Sequence, residues 1–171
     1  MNKRGQFYLI AAIIIVAVAV GFIIVSNSVS SQQNPNIYYL RDEIKIESSK
    51  VIDYAASSQL SGSQISSDLA DLSNRYINNS QDENFYFAFG NTTGITFIAY
   101  EAFHSNITLN GNDYTNTINV GSTYETSFVP ATNYILFGIN GNLYNYTLNP
   151  GENFDFVLSS NSGGQNYTAA S

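Results

Sequence analysis

Phe85-Tyr-Phe-Ala-Phe-Gly-Asn-Thr-Thr-Gly-Ile-Thr-Phe-Ile-Ala-Tyr-Glu101 is the stretch at which the pattern of this 171-residue chain changes. Upstream of it apolar residues recur at helical spacing. From Phe85 onward aromatic and β-branched residues run in short blocks cut by glycine and asparagine, the chemistry of strands and turns. Phe85–Phe89 and Ile95–Glu101 read as two strands joined through a turn over Gly90–Gly94. Further strands are expected at Asn106–Leu109, Tyr114–Val120, Tyr134–Ile139, Leu143–Leu148 and Phe154–Leu158. Asn110-Gly111 and Asn140-Gly141 are strong two-residue hairpin signals, because a type I′ turn needs positive φ at both positions; Pro150-Gly151 is a looser turn. The expected head, residues 84–160, is an antiparallel meander or sandwich partly covered by helix. Residues 161–171, opening Asn-Ser-Gly-Gly-Gln, read as a flexible tail.

Working back from Phe85, residues 34–79 read as an amphipathic helical stalk. Pro35 suits the first position of a helix, with Asn34 as its N-cap. The helix is expected over about Pro35 to Gln59, with Ile37, Leu40, Ile44, Val51 and Tyr54 in one apolar stripe that Glu47 interrupts. Ser61-Gly-Ser63 would end it. A shorter helix is expected from about Ser66 to Asn78, lined on one face by Leu69, Leu72 and Tyr76.

The N-terminus opens with Met1-Asn-Lys-Arg-Gly-Gln6 and continues as an uncharged apolar run from Phe7 to Val25. As a helix that run measures about 28 Å, close to the hydrocarbon thickness of a bilayer. Lys3 and Arg4 lie before it and the next charge after it is Arg41, so the positive-inside bias keeps the short N-terminus cytoplasmic and exports the rest. The hydrophobic helix is expected over residues 6–33, with a kink near Pro35. A cleaved secretory signal would have a shorter apolar core and a small-x-small site, which Ser26-x-Ser28 and Ser28-x-Ser30 match weakly. An uncleaved signal-anchor is a second reading.

A third reading comes from a resemblance. Lys3-Arg4-Gly5-Gln6 directly before an apolar helix resembles the class III signal of type IV pilin-like proteins, particularly archaeal pilins and archaellins. The likeness is specific over about the first 30 residues; beyond them it is one of layout, a long helix, a kink and a β-rich head. It implies a leader of residues 1–5, a prepilin peptidase cut between Gly5 and Gln6, and a retained helix that packs in a filament of identical subunits. The membrane and the pilus assembly machinery are the other implied partners, and the cell membrane and extracellular surface the location. Ile10 stands where bacterial pilins carry a glutamate, which points away from that branch. Ala11, Ala12, Ala17, Ala19 and Gly21 in the run would permit close helix–helix approach.

Charge narrows the choices. All six basic residues (Lys3, Arg4, Arg41, Lys45, Lys50, Arg75) precede Tyr76. After it stand seven acids, Asp82, Glu83, Glu101, Asp113, Glu125, Glu152 and Asp155, and no cation. A nucleic-acid partner needs lysine or arginine on the phosphates, so none is expected. There is no cysteine and one histidine, His104, which leaves a transition-metal site almost no ligands. No cofactor, metal or catalytic residue is expected, and His104 reads as a loop or edge residue. Five Asn-x-Ser/Thr sequons, at Asn78, Asn91, Asn106, Asn145 and Asn166, are candidate N-glycosylation sites. Asn78 and Asn91 are the expected carriers; Asn106 and Asn145 fall in strands and qualify only if they point outward. The aromatic residues read chiefly as core, with a carbohydrate platform as the sharper alternative. The expected protein is an α+β structural subunit of a pilus-like filament, with a non-filamentous, membrane-anchored extracellular binding domain as the competing reading.

Overall fold

A computed structural model describes residues 35–171. The leader residues Lys3, Arg4, Gly5 and Gln6 and the apolar helix expected over residues 6–33 lie outside the described residues. Two helices, α1 (Pro35–Ser57) and α2 (Gly62–Asn79), precede nine strands. The strands are β1 (Asn84–Asn91), β2 (Gly94–Tyr100), β3 (Ile107–Leu109), β4 (Asn112–Asp113), β5 (Thr123–Phe128), β6 (Tyr134–Ile139), β7 (Asn142–Thr147), β8 (Asn153–Ser162) and β9 (Gln165–Ala170). They form two antiparallel sheets, ordered β5-β2-β1-β8-β9 and β4-β3-β6-β7.

The register divides the side chains of the larger sheet between two cores. Phe85, Phe87 and Phe89 of β1, Ile98 and Tyr100 of β2, and Phe156 and Leu158 of β8 share one face with Ile37, Ile44, Leu69, Leu72 and Ile77 of the helices. The alternating residues Tyr86, Ala88, Phe97, Ala99 and Val157 join Ile107, Leu109, Ile135, Phe137 and Ile139 of the smaller sheet. Residues 36–171 therefore form three layers, helices on sheet on sheet, and β1 at the centre is apolar on both faces because both are covered. Asn36–Ser171 is one compact unit, in which the helices pack on the larger sheet.

Several expected elements shift. The segment expected as a strand over Tyr114–Val120 is a turn, closed by Thr117 and Ile118 N–H groups on the Tyr114 carbonyl (2.8 and 3.3 Å). Its apolar side chains imitate a strand, but Ile118 is buried in the inter-sheet core and the Tyr114 ring stacks near Phe97 and Tyr124. The fifth strand is Thr123–Phe128, absent from the sequence reading because an edge strand with one wet face carries few apolar residues. The expected tail over 161–171 is also structure: β8 runs on through Ser162 and β9 pairs with it, Leu158 opposite Ala169. Gly163 and Gly164, read as tail composition, are the positive-φ hairpin between them.

On α1 the buried row is Ile37, Ile44, Ser48 and Ala55, while Tyr54 is 64% exposed. Leu40 and Val51 of the expected stripe also pack, partly buried, against the core, so the row departs from the expectation only at its end, and Glu47 is half-buried. Ser61 does not close α1. It caps α2 in a capping box with Gln64, so that helix starts at Gly62, a turn earlier than expected.

Candidate functional site

The densest polar cluster among the described residues stands where β1 begins and β2 ends. The chain leaves β2 at Glu101 and must cross to the other sheet, and Asn84 holds that crossing. Its Oδ1 accepts the N–H groups of Ala102 (2.8 Å) and Phe103 (3.1 Å). Its Nδ2 faces the Phe103 carbonyl (2.9 Å), Ser105 Oγ (2.9 Å) and the Tyr86 hydroxyl (3.2 Å), three acceptors for two hydrogens, so one hydrogen is shared. The Tyr86 hydroxyl donates to Glu101 Oε1 at 2.9 Å. Glu101 is fully buried, and its Oε2 meets no hydrogen-bond partner among the described residues. Burial pushes the Glu101 carboxyl above the usual carboxylate range, against the Tyr86 hydroxyl, the Ser105 N–H and the nearby His104, which favour the charged form. Burial raises the Tyr86 phenol as well, with the Glu101 charge adding to it.

Ser105 and Asn140 also line an open pocket of about 360 Å³ with His104, Asn106, Thr115 and Asn116. The arrangement has no activated nucleophile: Ser105 Oγ receives the Asn84 amide and, at 3.4 Å, the Asn140 amide, and no hydrogen bond joins it to the exposed His104. Its chemistry is that of a loop clamp. Among the described residues no three His, Cys, Asp or Glu side chains are grouped to hold a metal.

The five sequons are dispersed. Asn78 is exposed in the last turn of α2. Asn106, expected in a strand, lies in the loop just before β3, and Asn145 lies on β7; both are exposed. Asn166 is exposed on β9 and accepts a bond from Asn161 Nδ2 (2.8 Å). Asn91, expected in an open loop, ends β1 half-buried. Its Nδ2 donates to Glu152 Oε1 (2.9 Å) and its Oδ1 accepts both the Thr93 N–H (2.9 Å) and the Thr93 hydroxyl (2.6 Å), so both ends of its amide are engaged.

Two larger hollows lie among the described residues. A charged groove of about 700 Å³ between the helices is lined by Lys50, Tyr54, Asp68, Asp71 and Arg75 among others. An uncharged cleft of about 440 Å³ opens at one end of the sandwich, floored by Leu109, Phe128 and Leu136 and walled by Tyr114, Tyr134 and Asn112.

With that geometry in view, comparison with known proteins adds nothing by likeness: no family model, no curated protein and no solved structure matches this chain.

Sequence reasoning passed over Asn84, Tyr86 and Glu101. Their signal was faint but present, a polar residue at each end of a double aromatic strand pair in a region with no cation to neutralise a buried acid. The charge-free run from Thr126 to Gly151, which supplies most of the uncharged cleft, was equally readable.

Proposed function

We propose that this chain is a pilin-like surface subunit, inserted with its N-terminus in the cytoplasm and assembled through its apolar N-terminal helix. One observation carries the reading: Lys3-Arg4-Gly5-Gln6 abuts the uncharged run Phe7–Val25. Prepilin peptidase would cut after Gly5, and the assembly machinery would draw the retained helix from the membrane into a homopolymer. A helix apolar on all sides that leaves lipid must be buried again by neighbours, at about 0.8 kcal/mol per methylene otherwise exposed to water. Open head-to-tail association supplies such neighbours. The compact unit from Asn36 onward and the outward sequons at Asn78, Asn106, Asn145 and Asn166 are in keeping with an exported, N-glycosylated head. No described helix is long and apolar enough to cross a membrane, so the anchor rests on the segment before Pro35.

Mass spectrometry of the protein from membranes and from sheared surface material tests this. Chains beginning at Gln6, found in filaments under the electron microscope, are the expected result, and Gly5→Val should leave the leader attached. Protein that begins at Met1 and stays in the membrane fraction would count against it. That outcome would favour the second reading, a membrane-anchored binding domain, for which the uncharged aromatic cleft is the specific support.

A further inference from the structure

We propose that the uncharged cleft at the end of the sandwich is a binding site for a neutral saccharide. The cleft lies where the Asn110-Gly111-Asn112 hairpin tip, the end of β5 and the loop before β6 converge. Its volume of about 440 Å³ falls within the usual range of small-molecule sites.

Three observations select the ligand class. First, no lining residue is charged, although the helical groove elsewhere carries Lys50, Asp68, Asp71 and Arg75. A cleft without charge gives an ionic ligand nothing to offset the loss of its hydration. Second, the walls present aromatic rings to the opening. Tyr134 is 39% exposed, and the Tyr114 ring is held by Phe97 and Tyr124, each with centroids 5.9 Å away. The C–H face of a sugar ring suits such surfaces, which are apolar in body and polar at the tip. Third, the polar groups are free. The hydroxyls of Tyr114 and Tyr134, the Asn112 carboxamide and Asn110 Nδ2 make no hydrogen bond within the described residues, whereas Asn110 Oδ1 is committed to the Leu136 N–H (2.8 Å). That bond fixes the hairpin tip and so pre-orients the amides. Neutral donors and acceptors around an apolar floor match a ligand that is all hydroxyls and ring. An apolar peptide would leave these groups unpaired on burial.

The inference is independent of filament assembly, since a head can hold sugar whether or not it polymerises. It is tested on the full chain in a zwitterionic detergent free of sugar headgroups. The probes are the methyl glycosides of glucose, mannose, galactose and N-acetylglucosamine, with glucuronic acid as the charged comparison, read by saturation-transfer NMR. At least one neutral glycoside should receive saturation and glucuronic acid should not. Tyr134→Ala and Asn112→Ala should each weaken binding by roughly tenfold with an unchanged melting temperature. Tyr54→Ala, on α1, should change nothing. The proposal is overturned if none of the four glycosides binds, if glucuronic acid binds best, or if Tyr134→Ala binds as well as the parent. Self-association that Tyr134→Ala abolishes, without saturation of any glycoside, would assign the cleft to a second copy of the chain and overturn it equally.

Discussion

Asn84 is a single side chain on which a crossing between two sheets depends. It is fully buried and its carboxamide makes five contacts, two accepted and three offered. Asn84→Ala would strand the Ala102 and Phe103 N–H groups in the interior, so we expect a loss of about 3 kcal/mol or more in chemical denaturation. Asn84→Asp keeps the acceptor but brings a second carboxylate beside Glu101, and should be nearly as damaging at neutral pH. Gly90 is constrained in another way: at φ 130° a Cβ would collide with the Gly94 carbonyl oxygen. Nothing in the local sequence distinguishes that glycine from the one at Gly94, which has open space around it.

The helices and the last hairpin show how element boundaries are decided. Ser61 accepts the Gln64 N–H and Gln64 Oε1 accepts the Ser61 N–H, so both ends of the first turn of α2 are satisfied. Ser61→Ala should cost about 1 kcal/mol, read as a drop in melting temperature of a few degrees. The strand β9 closes one edge of the larger sheet and contributes Ala169, 4% exposed, to the helix-side core. If residues 161–171 were a loose tail, Ala169→Asp would be silent. Placed opposite Leu158 it should instead destabilise by about 3 kcal/mol or more, because the new carboxylate would be taken out of water among apolar side chains. A denaturation curve superimposable on the parent would refute the placement of that strand. Amphipathic period and turn residues were legible at this scale; which neighbour a segment meets was not. Tyr114–Val120 and Thr123–Phe128 exchanged roles for that reason.

At the scale of the whole molecule, charge asymmetry becomes a pH response. Asp155 faces the inter-sheet layer opposite Ala88, near Tyr146 and Ser171. Burial pushes its carboxyl up to about 6, against a hydrogen bond with Ser171 that favours the charged form. Burial also raises Glu83, aided by the neighbouring Asp82 charge, and Glu101. The Tyr146 phenol rises to about 12 by burial, beside the Asp155 charge. A carboxyl whose folded value exceeds its unfolded value binds protons more tightly in the native state. Its contribution is complete below the unfolded value near 3.8 and is lost as pH rises through about 6. The chain should therefore be more stable at pH 4–5 than at pH 7. Asp155→Asn should flatten that slope and stabilise the neutral protein by up to about 2 kcal/mol, measured by urea denaturation across the range. A parent whose stability climbs steadily from pH 4 to pH 7 would contradict it.

The sequence by itself determined the α+β class, both Asn-Gly hairpins, and the absence of cations beyond Arg75. These are local or compositional properties, written in neighbouring residues or in counts. Tertiary structure alone decided that β1 is covered on both faces, that the Tyr86 hydroxyl joins Asn84 to Glu101 beside the β2–β3 crossing, and that the last residues pair as a strand. It also decided which sequon amides are open and which is engaged with Glu152. Each of these depends on contacts between residues far apart in the chain, where pairing and burial outweigh the preferences of any one segment.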